Sequence, residues 1–281
     1  MLTTVKHAIT QLHDEGVRSV INAARRHFVW GIPLGYYSKI HKLQISRKYG
    51  PAAADPWKKF TVNPEWVTEY RSRGYESVED FYNGGGNWTT TSAIPFDRWK
   101  DAGEIKSGEW DEDTLPITEL PKYDGIREHF KEDIPWQETR MFEFYRNVLE
   151  QGYSVDGCDS ESELLERYKK MEKLCVNIRD NGYQSREELC ENGFFACLMG
   201  EVAVSIGRDG SLILGDGGGW HRLTAAQLFE VDSIPVRVLV RHTKWQRIRE
   251  QAYTSESMNE LPAEVVPHTA HPDLQDVLPS G

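Results

Sequence analysis

Between Glu201 and Arg241 the chain reads EVAVSIGRDGSLILGDGGGWHRLTAAQLFEVDSIPVRVLVR, and no other segment leaves it so few ways to fold. Val202, Val204 and Ile206 alternate with small or polar residues, and Leu212 and Leu214 resume the alternation after Arg208-Asp209-Gly210. A period of two interrupted by Asp-Gly predicts a β-hairpin, with Asp209-Gly210 supplying the positive φ angles of a two-residue turn. Gly215 to Gly219 then breaks all periodicity. Leu223, Ala225, Ala226, Gln227, Leu228 and Phe229 predict a short helix opening near Trp220 to Arg222. Ile234 to Val240 is a β-branched run with Pro235 near its start, where a missing N–H costs least, and predicts a further strand.

The glycines therefore stand at a helix N-terminus. A loop with few β-carbons lets backbone N–H groups approach an anion, and the first helical turn adds unpaired donors and partial positive charge. His221 and Arg222 stand beside it, a ring that can carry a proton and a planar fork of donors, the two side-chain types suited to gripping phosphate oxygens. The expectation is a phosphate site. Three glycines and two charges also describe a plain connecting turn with solvated neighbours, because short glycine motifs recur often by chance.

A chain of 281 residues with 39% hydrophobic residues is long enough for one large domain or two modest ones. Its net charge is −11, and that disfavours a dedicated nucleic-acid binder. Residues 1–50 carry Lys6, Arg18, Arg25, Arg26, Lys39, Lys42, Arg47 and Lys48 against Asp14 and Glu15, a local balance of +6 that leaves −17 for the rest. Cys158, Cys175, Cys190 and Cys197 form no C-x-x-C pair and have no histidine at zinc-finger spacing, which fits a reduced, cytoplasmic chain with no metal site of its own. No signal-peptide core and no run near the ~18 apolar residues of a spanning helix can be read.

Val17, Val20, Ile21, Ala24 and Phe28 fall at helical spacing with Arg18, Arg25 and Arg26 mostly off the stripe, a basic amphipathic helix. It leads into FVWGIPLGYY at 28–37, whose aromatics, glycines and Pro33 argue against a compact helix. This N-terminal region, 1–50, could dock on a protein partner or on an anionic membrane surface at the inner face. GPAAADP at 50–56 reads as a linker, Pro64 to Arg73 as one helix, and 83–121 as a long irregular segment partly ordered by Trp88, Trp99 and Trp110. Residues 122–150 predict two helices broken at Pro135, the second with Met141, Phe142, Tyr145, Val148 and Leu149 inward. A third, capped by Ser160 or Ser162, buries Leu164, Leu165, Tyr168, Met171, Leu174, Cys175 and Ile178 and ends at Asn181-Gly182 in a left-handed cap. Thr243 to Ser257 is a polar helix with Trp245, Ile248 and Ala252 inward, and the proline-rich tail from Leu261 reads as mobile. The divisions expected are a basic N-terminal region at 1–50, a helical and loop-rich middle at 51–160, an α+β domain at 161–258 with a small mixed sheet, and a flexible tail at 259–281.

Ile178 to Tyr183, Arg208 to Gly210, Gly219-Trp220-His221-Arg222 with Ala225, and Ile234 to Val238 follow one another in an order that resembles the ParB N-terminal/sulfiredoxin-like superfamily. Sulfiredoxins place a cysteine immediately before the His-Arg pair where this chain has Trp220, so sulfinic acid repair is not implied. Partition proteins of the superfamily bind CTP through a G-E-R-R type box and carry a downstream helix-turn-helix domain, which the residues after Arg241 do not suggest. Free serine kinases share the G-x-H-R type of box and transfer a phosphoryl group with a carboxylate as base. The resemblance thus implies a nucleotide-phosphate site at Gly217, Gly218, Gly219, His221 and Arg222 for ATP or ADP with Mg2+, and a kinase-like transfer to a hydroxyl of a small molecule or sugar. Glu201 or Asp216 would accept the hydroxyl proton, because paired strands bring both carboxylates to one end of the hairpin. Gln184 and Arg186 read as an exposed turn within reach of the nucleotide. A non-enzymatic nucleotide-gated interaction module and a DNA-binding or nuclease protein are the alternatives.

Overall fold

The computed structural model describes residues 32–72, 77–78, 96–97, 100–189, 200–215 and 218–280. The amphipathic segment 17–28, Gly84 to Gly86, Trp88, Trp99, Asp216 and Gly217 lie outside them. The elements are α1 (Ile32–Tyr49), β1 (Lys59–Val62), β2 (Glu69–Arg71), β3 (Glu104–Lys106), β4 (Thr114–Pro116), α2 (Pro121–Glu132), α3 (Arg140–Glu150), α4 (Glu161–Asn181), the short α5 (Arg186–Leu189), β5 (Val202–Ile206), β6 (Leu212–Leu214), α6 (Trp220–Leu228), β7 (Ile234–His242) and α7 (Thr243–Thr254). The protein is α+β. Among the described residues the strands form one mixed seven-stranded sheet in the order β1-β7-β5-β6-β2-β4, with β3 also on β7.

β7 is its longest strand and is paired on both sides. Val236, Val238 and Val240 are buried, and so are Arg237, Leu239 and Arg241 between them, so both faces of the strand are covered. β1 pairs antiparallel with its first half, β3 parallel with its second, and β5 parallel along the other side. The expected hairpin is β5–β6, with Val204 opposite Leu214 and Ile206 opposite Leu212. Its connection is wider than two residues: Gly210 alone has positive φ, at 89°, and the Asp209 carboxylate accepts from the Ser211 N–H instead of twisting its own backbone.

Amphipathic periodicity located the helices well. Thr139 caps α3 by accepting from the Phe142 N–H, Ser160 caps α4 from the Glu163 N–H, and the apolar stripes of both helices are buried apart from Leu149, Leu165 and Leu174, which are half-buried. Gly182 ends α4 at φ 77° and ψ 177°, a region open only to glycine and distinct from the expected left-handed cap. α6 packs against β5, α2 and α4. No helix among the described residues is long and apolar enough to cross a membrane.

Four sequence expectations are corrected. Residues 32–49 form helix α1, part of which lies in the segment read as non-helical. The stretch from Pro64 read as a helix is, over its described residues 64–72, a 3-10 turn, Pro64–Trp66, followed by β2, which pairs with both β4 and β6. The middle region is not only helices and loops, since it gives β1 to β4 to the shared sheet, and the GPAAADP turn buries Ala52 and Ala54. The tail is packed, not mobile.

Its anchor is Asp273, fully buried. The carboxylate accepts from Arg241 Nε at 2.9 Å and Nη2 at 2.6 Å and from Trp245 Nε1 at 3.0 Å, with Arg249 Nη1 at 3.3 Å and Lys58 Nζ at 3.5 Å. Val265, Leu274 and Val277 join the core around it, and His271 accepts from the Asp273 N–H while bonding the Gly210 carbonyl at 3.1 Å. Removing the carboxylate strands the buried Arg241 guanidinium and the Trp245 N–H, while Arg249 keeps Asp276 and the Ala52 carbonyl. We expect Asp273→Ala to lower unfolding stability by about 3–5 kcal/mol in urea titration. A loss under about 1 kcal/mol would mean that the tail is held by its apolar residues alone.

Candidate functional site

The glycine turn is built by one close approach. Gly218 and Gly219 have φ of 89° and 100°, and the Gly218 carbonyl accepts from the Ala203 N–H at 3.1 Å. A β-carbon on Gly219 would stand 2.5 Å from Val202 Cα, so only glycine lets α6 start against β5. Gly219 has no side chain with which to cap this start, and its carbonyl takes the first helical bond from the Leu223 N–H at 2.9 Å. Among the described residues the first-turn N–H groups of α6 are offered no N-cap side chain. The Trp220 indole leans on Tyr70 of β2, with ring centroids 5.0 Å apart.

Arg222 and His221, expected to converge on one pocket, face different neighbours. The buried Arg222 guanidinium donates from Nε to the Tyr183 hydroxyl at 2.9 Å and from Nη2 to the Gln184 carbonyl, and its carbon lies 4.4 Å from the Tyr183 ring centroid. Tyr183 in turn reaches Glu201 Oε2 at 3.5 Å, while Glu201 Oε1 accepts from the Arg186 N–H at 2.6 Å. Arg222, Tyr183 and Glu201 form a chain that pins the 183–186 turn to α6. Gln184 and Arg186 are therefore not a free exposed turn but the partners of Arg222 and Glu201. Glu201 is 1% exposed, and burial raises its pKa against the pull of the Arg186 N–H and of Arg222. Burial also lifts the Tyr183 phenol to about 12.

His221 looks toward Lys122, Asp156 and Arg167. Burial, then the charge of Lys122 and more weakly that of Arg167, takes its pKa down to about 3, with Asp156 opposing. It is a neutral imidazole at neutral pH and brings no cation to the turn. Divergence follows from the helix itself: adjacent residues on α6 point about 100° apart, so one meets α4 and α2 and the other the turn beyond α4. Lys122, Asp156 and Arg167 were not singled out in the sequence, and Tyr168 was read only as part of a buried helix stripe. The signal available was Asp156-Gly157, a turn dipeptide just before the α4 cap.

Glu201 is committed to Arg186 and Tyr183, and among the described residues no group of three acidic, histidine or cysteine side chains could hold a metal ion. The described residues do not fit a resident metal. No family model, curated protein or solved structure matches this chain.

Gly219→Ala forces a side chain into positive φ and against Val202. It should cost about 3 kcal/mol or more, read as a lower urea midpoint with the slope unchanged. An ordinary midpoint would show that the turn can relax. Acid should also expose the two most strongly depressed histidines. His221, and His271 with a pKa lowered mainly by burial to about 4, stay neutral when folded but protonate near 6.5 when unfolded. The unfolded chain then binds more protons, so stability is full above pH 6.5 and falls below it, by about 1.4 kcal/mol per pH unit for each ring. His221→Gln should flatten this slope between roughly pH 6 and 4.5 by one proton, and an unchanged slope would refute its burial in the neutral form.

Proposed function

We propose that this chain binds the phosphate groups of a nucleotide, ATP or ADP, at the glycine turn, and that binding loosens the 183–186 turn from Arg222, making the protein a nucleotide-gated module. One observation carries the reading. Arg222 is a buried guanidinium one turn into an uncapped helix, and its hydrogen-bond acceptors, the Tyr183 hydroxyl and the Gln184 carbonyl, are uncharged. A phosphate oxygen is a charge-assisted acceptor, roughly twice as strong as a neutral one, and the first turn of α6 would add backbone donors. Phosphate at Arg222 would displace Gln184, and the Tyr183–Glu201–Arg186 chain carries that displacement to α5.

The ParB N-terminal/sulfiredoxin-like assignment belongs to the same proposal. Its support is the order hairpin, glycine turn, α6 and β7, with β7 parallel to β5. A reduced cytoplasmic setting is part of it too, supported by the free, buried Cys158 and Cys175. A second reading, phosphoryl transfer to the hydroxyl of a small molecule or sugar, is favoured by Glu201, whose raised pKa suits a proton acceptor. Mg2+ would arrive with the nucleotide as the counter-ion of its phosphates, and this chain's part would be to position the phosphates with α6 and to take a proton on Glu201.

Thermal denaturation with ATP, ADP and CTP, each with and without Mg2+, tests the reading. At a hundredfold excess over Kd, ligand should add about 2.7 kcal/mol and raise Tm by several degrees. Arg222→Lys keeps the charge but loses the planar fork, so the same nucleotide should bind about tenfold more weakly. No shift with any nucleotide would sink the proposal. Product formation that survives Glu201→Gln would sink the transfer reading alone.

A further inference from the structure

On the His221 side of α6, two polar atoms that should be satisfied are not. Tyr168 on α4 is 1% exposed, and its hydroxyl has no hydrogen-bond partner among the described residues. Asp156, Cys158 and Arg167 are its ionisable neighbours. Asp156 Oδ1 accepts from Lys122 Nζ at 2.8 Å, but Oδ2 is buried without a hydrogen bond, with Arg167 Nε 3.8 Å away. One is a donor lacking an acceptor and the other an acceptor lacking a donor, and a buried polar group left unpaired costs on the order of 1–3 kcal/mol. A ligand hydroxyl satisfies both at once, by accepting from Tyr168 and donating to Asp156.

Lys122 and Arg167 decide what else the ligand carries. They bring two positive charges against the single carboxylate of Asp156, with the positive end of α6 close by at His221, so the surplus favours an acidic group. We infer that Lys122, Asp156, Arg167 and Tyr168 form a binding site for a small hydroxyl-bearing carboxylic acid of the sugar-acid class, its hydroxyl between Asp156 and Tyr168 and its carboxylate toward Lys122 and Arg167. Arg167 is the most exposed of the four and marks the way in from solvent. That this ligand would be the acceptor of a phosphoryl group rests on the nucleotide reading; the site itself does not.

The probe is glucuronate, with glucose as hydroxyls without the acid and acetate as the acid without hydroxyls. Calorimetric titration of the full chain should show saturable glucuronate binding and none with acetate. Tyr168→Phe deletes only the unpartnered oxygen and so should fold, and Asp156→Asn keeps a residue that tolerates the φ of 50° found there. Each should weaken glucuronate about tenfold or more. The ATP-induced Tm shift, measured on the same samples, should persist in Tyr168→Phe. No glucuronate binding at millimolar concentration, or equal binding in Tyr168→Phe, overturns the inference. A Tyr168→Phe chain that binds no ligand differently but melts lower would mean that a structural water alone joins the two atoms. Glucuronate failing while ATP still shifts Tm overturns this site only, whereas glucuronate binding without any nucleotide shift overturns the nucleotide reading only.

Discussion

The contact between Gly219 and the backbone of Val202 sets the position of everything around the candidate site. With no β-carbon at 219, α6 starts within van der Waals reach of β5 and is committed to one rotation. That rotation sends Arg222 to the turn after α4 and His221 to the side of Lys122 and Asp156. Glu201, the residue just before Val202, then falls beneath the same turn, where burial raises its pKa. A single steric condition thus produces two chemically different sides of one helix start: a guanidinium linked to a buried carboxyl through a phenol, and a neutral imidazole beside an ion pair.

The parts of the fold that were legible in the sequence are those whose partners lie nearby. Val202 to Leu214 alternates because the hairpin partner is a few residues away, and the stripes of α3 and α4 repeat at helical spacing because one face meets the core. The strands β1 to β4 run three or four residues, too short to show a period, and are defined by distant neighbours: Lys59 opposes Arg237 and Tyr70 opposes Leu214. The tail was misread for a related reason. Its anchor is a charged residue, Asp273, whose meaning depends on Arg241, Arg249 and Lys58, and composition marks such a segment as polar and loose.

At the site, the glycines, the helix start and the hairpin ends were readable, but the directions of the side chains were not. Adjacent residues on a helix diverge, so His221-Arg222 as a dipeptide says nothing about convergence. Tyr183 and Gln184 became visible as the partners of Arg222 only once the end of α4 was seen to pass over α6. Asp156 and Tyr168 come together because the Asp156-Gly157 turn folds back on α4, a tertiary relation with no local signature.

The central claim is that Arg222 exchanges a backbone carbonyl for phosphate, and amide hydrogen exchange reads both ends of that exchange at once. With ATP and Mg2+ present, the amides of Trp220 to Arg222 should exchange more slowly, and those of Arg186 to Leu189, including the one now held by Glu201, faster. Nucleotide that leaves both segments unchanged, or that protects both together, would contradict the account.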